Sequence, residues 1–131
     1  MAKSIADKLH IKPGTTVWVW PSARLELLGS LPDEAAVVDG IGDASSAFLF
    51  VDDAATARAA LAAHAPDLAK PEYLWFCYPK GGRADINRDS LWPMVSEYGL
   101  RPITQIAIDD TWSALRFRPL KAGEAPFMGG A

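Results

Sequence analysis

Apolar residues along the chain form short uninterrupted runs and stripes at helical spacing. The run from Tyr73 to Tyr78 is rich in aromatic residues and lies between Pro71 and Pro79. A run of this kind is typical of a strand that is buried on both faces of a parallel sheet. Proline at each side disfavours a helix, because it removes an amide donor and restricts the preceding residue to extended conformations. We therefore predict a central strand here.

Similar patterns predict the remaining elements. β-branched and aromatic segments indicate five further strands, at Thr16–Trp20, Ala36–Val38, Ala47–Val51, Pro102–Ile108 and Trp112–Arg118. In the first of these, alternation places Trp18 and Trp20 on one face and Val17 and Val19 on the other. Helical spacing and capping residues indicate four helices: a short one containing Ile5 and Leu9, an irregular one from Ser22 to Leu28, and longer ones at Ala54–His64 and Ser90–Tyr98.

The turn Asp109-Asp110-Thr111 is too short to join parallel strands, so the last two strands are predicted to be antiparallel. The earlier strands are separated by helices or long loops and can run parallel. The chain is therefore predicted to be an α/β protein with a mostly parallel sheet of about six strands that ends in an antiparallel hairpin.

Length and composition predict one domain. The chain has 131 residues, of which 50% are hydrophobic, which is enough for one core and too little for two. Residues 1–120 are expected to form this domain, and residues 121–131 a flexible tail without periodicity.

The net charge of -3 argues against nucleic acid as a partner, and no apolar segment is long enough to cross a membrane. With no export signal and a single cysteine, Cys77, a cytoplasmic location is expected.

Several short motifs carry a resemblance to known proteins. They are Lys12-Pro13-Gly14 before the first strand, Leu74-Trp75 through Pro79-Lys80, Gly99-Leu100, and Asp109 to Thr111 before Trp112-Ser113 and Leu115. Their order and spacing resemble a small bacterial family of domains of unknown function, over nearly the whole chain up to Lys121. The parallel core with its final hairpin also resembles class I methyltransferases, shortened by about one strand-helix unit. The resemblance implies a Rossmann-like three-layer sandwich and no particular activity.

The first candidate for a functional site is the position at which class I methyltransferases bind their cofactor. Those enzymes follow the first strand with a glycine-rich turn, and a later acidic residue binds the ribose. Here the turn is Trp20-Pro21-Ser22-Ala23-Arg24, which has no glycine. Asp39 has the spacing of the ribose-binding acid, but without a glycine-rich turn it is better explained as a turn residue that ends the second strand. We therefore predict no cofactor.

A cationic, glycine-rich loop follows the central strand, where open α/β sheets bind ligands. Its cations and backbone amides can bind an anion, although the alternative is a turn with solvated side chains. Ser22 and Asp52 are expected to border the same crevice, with Asp109 and Trp112 near it. The candidate site for a small anionic ligand therefore consists of Ser22, Asp52, Lys80, Gly81, Gly82, Arg83, Asp109 and Trp112.

No catalytic or metal-binding set emerges from the sequence. His10 and His64 are the only histidines, and one cysteine does not complete a metal site with them. The serines lack the context of a nucleophile elbow. Asp109 and Asp110 are typical turn formers, and Asp52 and Asp53 are typical helix caps.

Three hypotheses therefore remain. A non-catalytic binding or regulatory module is favoured by the absent glycine turn. The second is a small, divergent methyltransferase-like enzyme that acts on an anionic small molecule. The third is a docking protein that presents Pro126, Phe127 and Met128 of its tail to a protein partner.

Overall fold

The computed structural model describes residues 5–80, 88–120 and 123. Three α-helices occur in these ranges: α1 (Ile5–Lys8), α2 (Ala54–His64) and α3 (Arg88–Ser96). Three 3-10 helices lie at Ser22–Leu28, Ile41–Asp43 and Ala65–Asp67. The six strands are β1 (Thr16–Trp20), β2 (Ala36–Val37), β3 (Ser46–Phe50), β4 (Tyr73–Pro79), β5 (Leu100–Ala107) and β6 (Trp112–Pro119). Among the described residues, no helix is long and apolar enough to cross a membrane.

The six strands form one sheet in the order β2-β1-β3-β4-β6-β5. The pairs β1–β2, β1–β3 and β3–β4 are parallel, whereas β6 runs antiparallel to both β4 and β5. The predicted class is therefore confirmed: the chain is a Rossmann-like α/β sandwich with a mostly parallel sheet and an antiparallel pair at one end. The run Tyr73–Tyr78 is indeed a central strand, with β3 on one side and β6 on the other.

Each face of the sheet carries its own core. On the first, here called the α2–α3 face, Leu49, Phe76 and Leu115 pack with Leu61 of α2 and Leu91 of α3. The opposite face, here called the α1 face, is packed with the N-terminal segment and the first 3-10 helix; its buried residues include Leu9, Val17, Leu28, Phe48, Trp75 and Cys77. The alternation predicted for β1 is confirmed, since Trp18 and Trp20 pack on the first face and Val17 and Val19 on the second.

Several boundaries differ from the predictions. Helix α3 begins at Arg88, two residues earlier than predicted. The same helix ends at Ser96, which leaves Tyr98 outside it and 39% exposed, because Gly99 at a φ of 80° ends the segment.

Strand β5 begins two residues earlier than predicted and contains a bulge between Pro102 and Thr104. A proline at a bulge is typical of an edge strand, where its missing donor breaks no inner pairing.

Candidate ligand site at the carboxyl edge of the sheet

The order of the strands defines a crevice. The chain leaves β1 to form β2 on one side and then crosses to form β3 on the other. In open α/β sheets, ligands bind where the strand order reverses in this way, outside the carboxyl ends of the strands. Trp20 ends β1 and Phe50 ends β3, so the crevice opens beyond these two residues.

One arginine occupies this edge. Arg24 Nη2 donates a hydrogen bond to Asp52 Oδ1 at 3.2 Å, and the Arg24 guanidinium lies 5.1 Å from the centre of the Trp112 ring. Trp112 in turn packs edge-on against Phe50, with ring centres 5.2 Å apart. Arg24 therefore connects the segments that follow β1 and β3 to the first residue of β6. The side chains of Arg24 and Asp52 are 38% and 58% exposed, so the bridge lies at the surface.

Local structure explains how Arg24 reaches this position. Pro21 has extended backbone angles and directly precedes the 3-10 helix, and the Arg24 amide donates to the Pro21 carbonyl oxygen at 3.0 Å. Leu28, which is fully buried, fixes the far end of this helix to the α1 face. The expected irregular helix is thus a single 3-10 segment, and it holds Arg24 one turn beyond the end of β1.

The predicted acidic residues have different roles. Asp109 Oδ1 accepts hydrogen bonds from the amides of Thr111 at 2.8 Å and Trp112 at 2.7 Å. This is the pattern of a turn former. Asp53 caps α2, because its Oδ1 accepts from the Thr56 amide at 2.7 Å, and this hydrogen bond lowers the pKa of the Asp53 carboxyl. Asp52 and Asp53 are both predicted as helix caps. In the structure, Asp53 makes the capping hydrogen bond of α2, whereas Asp52 forms an ion pair with Arg24.

Lys80 lies at the same edge as the turn that precedes β6. Its amide donates to the Thr111 carbonyl oxygen at 2.8 Å, which continues the pairing of Pro79 with Trp112. The side chain of Lys80 is half-buried. The other three loop residues in the predicted site, Gly81, Gly82 and Arg83, lie outside the described residues.

Ser22 lies in a different part of the edge. It lines a pocket of about 130 Å³ between β1, β2 and the first 3-10 helix, together with Trp18, Leu25, Val38 and Asp39. Pockets that hold drug-sized ligands usually measure about 300–1,000 Å³. The pocket is therefore too small for a nucleoside cofactor, although it contains the residue with the spacing of a ribose-binding acid.

The structure thus brings Asp52 and Trp112 together through Arg24, and it places Asp109 and Lys80 in and beside the adjoining turn. Ser22 lies apart from this group, in the small pocket. The sequence reasoning missed Arg24, which is the residue that joins the others. The available signal was a single cation four residues beyond the first strand, which cannot be distinguished by sequence from a solvated arginine. In the described ranges, no group of three metal-ligating side chains is present.

Cys77 plays no part at this edge. It is fully buried on β4 within the α1 face, and burial raises the pKa of its thiol well above the ordinary value. A buried thiol of this kind is neither a nucleophile nor an accessible metal ligand.

These features define a protein of the Rossmann-like class with a methyltransferase-like arrangement of strands. No protein-family model matches the sequence, and no curated protein matches it. Among solved structures, the chain is similar to a protein of the NADB-Rossmann superfamily from Streptococcus agalactiae, with a TM-score of 0.59 at 9% identity over 98% of this chain and 72% of the other. It is also similar to a proposed tRNA (m1A22) methyltransferase from Streptococcus pneumoniae, with a TM-score of 0.56 at 10% identity over 98% and 73% of the two chains. At these identities the likeness shows the fold alone.

Proposed function

We propose that the protein is a non-catalytic, cytoplasmic binding module that keeps a methyltransferase-like scaffold and binds a small anionic ligand at its carboxyl edge. The observation that carries the proposal is the position of Arg24, which spans the crevice between Asp52 and Trp112. In this position the arginine supplies a positive charge at the edge where open α/β sheets bind ligands.

The shape of the edge argues against a nucleoside cofactor. A cofactor in a Rossmann-like site needs close approach of the backbone after the first strand, which glycine normally permits. Here Trp20 and Pro21 occupy that turn, and Trp20 is only partly exposed because it packs against the core of the α2–α3 face. The pocket that the described residues form between β1 and β2, at about 130 Å³, is smaller than the cavities that usually hold drug-sized ligands.

The charge at the edge favours a small oxyanion. A guanidinium has five N–H donors, and Arg24 uses one of them to bind Asp52. Because both side chains are exposed by more than a third, their ion pair stabilises the fold by only about 0–1 kcal/mol. A phosphate or carboxylate can therefore replace Asp52 at little cost and bind the guanidinium through two parallel hydrogen bonds. Lys80 supplies a second cation at the same edge.

An amide NMR titration with inorganic phosphate tests this function. We expect saturable shifts at the amides of Arg24, Asp52 and Trp112, because the ligand competes with Asp52 for the guanidinium. The Arg24→Gln variant should lose these shifts. Arg58→Gln, which removes an exposed arginine on α2, is the matched control and should keep them.

Two outcomes would refute the anion site: no saturable shift at these amides, or an Arg24→Gln variant that responds like the native chain. Methyl transfer from S-adenosylmethionine to any acceptor, lost in the Arg24→Gln variant, would refute the non-catalytic part of the proposal.

A further inference from the structure

Two residues that face each other across β4 and β6 each have a buried N–H donor without a hydrogen-bond partner. Trp75 of β4 is fully buried, and its indole Nε1 bonds to no acceptor. Arg116 of β6 is half-buried, and its Nε also has no acceptor. The two residues are direct cross-strand partners in the antiparallel pair β4–β6, so their side chains leave the sheet side by side.

Unpaired buried donors are uncommon in native proteins, and each one calls for an explanation such as a bound ion or a bound ligand. One such donor can be left by local packing. Two on neighbouring cross-strand residues, both of which need an acceptor, indicate a place where an acceptor binds. The chemistry of the pair is specific, since indole and guanidinium N–H groups donate and never accept.

The surrounding charge agrees with an anionic acceptor. Arg101 and Arg118 are directly opposite each other in the pair β5–β6, and the alternation of β6 places them on the same face as Arg116. Like charges at opposed positions of a sheet repel each other. An anion here would therefore offset repulsion between the guanidinium groups.

Aromatic rings form the remaining wall. The Arg116 guanidinium lies 4.3 Å from the centre of the Tyr73 ring, and the exposed imidazole of His10 stacks on Tyr73 and Trp75 at 5.4 and 6.3 Å. His10 adopts a left-handed conformation, with a φ of 63°, that is uncommon for a residue other than glycine. The rings pack against the guanidinium, and the Arg116 side chain is only half-buried, although its Nε lies below the surface.

We propose that Trp75 and Arg116 form a second anion site, which takes a phosphate or carboxylate group on the α1 face. The anion accepts from Arg116 Nε and from the Trp75 indole, after a small rotation of the Arg116 side chain. This site lies at the amino end of β4, whereas the site containing Arg24 lies beyond the carboxyl ends of β1 and β3. The two sites are therefore independent, and either can fail without the other.

The indole resonances of the protein provide a direct test. With ¹⁵N-labelled full-length protein, the Trp75 indole is assigned by comparison with Trp75→Phe, and inorganic phosphate, citrate and chloride are titrated separately at matched ionic strength. We expect the Trp75 indole and the Arg116 Nε–H to shift saturably with phosphate or citrate but not with chloride. A response to phosphate alone would identify a phosphate site, and a response to both would identify a general oxyanion site.

Variants separate the site from the packing of the sheet. Arg116→Gln should weaken binding by about tenfold or more, as expected for the loss of a charged hydrogen-bonding partner, while Arg58→Gln and Arg24→Gln leave the Trp75 response unchanged. If Arg116→Gln does not fold, Arg116→Lys keeps the charge but removes the Nε donor, and it should also bind more weakly. The proposal is overturned if the Trp75 indole responds equally to chloride, responds to no anion, or responds in the Arg116 variants as in the native protein.

Discussion

At the scale of single residues, similar side chains take different roles because their neighbours differ. Asp52 and Asp53 are adjacent in sequence and equally suited to cap a helix. Only Asp53 points at the free Thr56 amide at the start of α2, whereas Asp52 faces Arg24. Sequence alone predicts that a cap exists but not which of the two residues provides it, because this depends on the direction in which the chain leaves β3.

These two aspartates give a paired prediction. Asp53→Ala should lower the unfolding midpoint at pH 7, because the helix loses its capping acceptor. Asp52→Ala should cost less than about 1 kcal/mol, since it removes an exposed ion pair. Thermal unfolding of both variants at pH 7 measures the difference, and equal midpoints would contradict the assignment of the cap.

The capping bond also predicts a pH dependence. The pKa of Asp53 is lowered in the folded state by its hydrogen bond with Thr56. A lowered folded-state pKa stabilises the fold above the unfolded value of about 3.9, and this stabilisation is lost as the pH falls through the folded value. The difference in midpoint between the native chain and Asp53→Ala should therefore narrow in unfolding experiments below about pH 3.9.

At the scale of elements, the sequence predicts most where one physical cause dominates. The central strand, the two faces of β1 and the final hairpin all follow from the alternation and length of apolar runs, and the structure confirms them. The sequence predicts the ends of helices and strands less accurately than their presence. The bulge at Pro102 and the early end of α3 depend on edge position and on tertiary contacts, which the local pattern does not contain.

The sequence predicts only part of the candidate site, because strand ends follow from the local pattern whereas contacts between distant residues do not. Strand ends are visible in the sequence, so the edge that contains Asp52, Asp109 and Trp112 could be predicted. The residue that links them could not, because Arg24 acts through contacts with residues 28 and 88 positions away in the sequence. Likewise, the pairing of Trp75 with Arg116 depends on the register of β4 and β6 and has no local signal.

Substitution of alanines in helix α2 measures how tightly this helix packs against the sheet. Ala57 is fully buried in the core of the α2–α3 face, whereas Ala59 is exposed on the same helix. Ala57→Leu should destabilise the protein by about 1–3 kcal/mol, because extra methyl groups have no space in a packed core. Ala59→Leu makes the same chemical change at the surface and should stay within about 0.5 kcal/mol of the native chain. Urea unfolding distinguishes them, and a tolerated Ala57→Leu would mean that α2 packs loosely.

At the scale of the whole molecule, a Rossmann-like sheet carries an exposed Arg24–Asp52 ion pair at the carboxyl edge, where open α/β sheets bind their ligands. The fold resembles that of enzymes which bind large cofactors at this edge, yet Arg24, Trp20 and Pro21 replace the open turn that such cofactors need. The fold of this chain therefore does not determine what its site binds, because a shared fold does not imply a shared function.

The domain boundary gives a prediction at the same scale. The Leu120 amide donates to the Gly99 carbonyl oxygen at 3.0 Å, which fixes the end of β6 next to the start of β5. Deletion of Gly123–Ala131 should therefore leave one cooperative transition with an unchanged midpoint. Deletion from Phe117 onward removes a buried core residue and should abolish this transition. If the shorter deletion also loses cooperative unfolding, the tail is part of the core and is not available to a protein partner.

Calorimetric titration with S-adenosylmethionine and with NAD, supported by thermal unfolding, tests the central claim most directly. A specific ligand present at a hundredfold over its dissociation constant stabilises a protein by about 2.7 kcal/mol, which is readily measured as a rise in midpoint. With excess inorganic phosphate present to occupy the proposed anion site, we predict no saturable heat and no rise in midpoint with either cofactor, because Arg24 bridges Asp52 and Trp112. Saturable binding of either cofactor would contradict the account and would favour an enzyme.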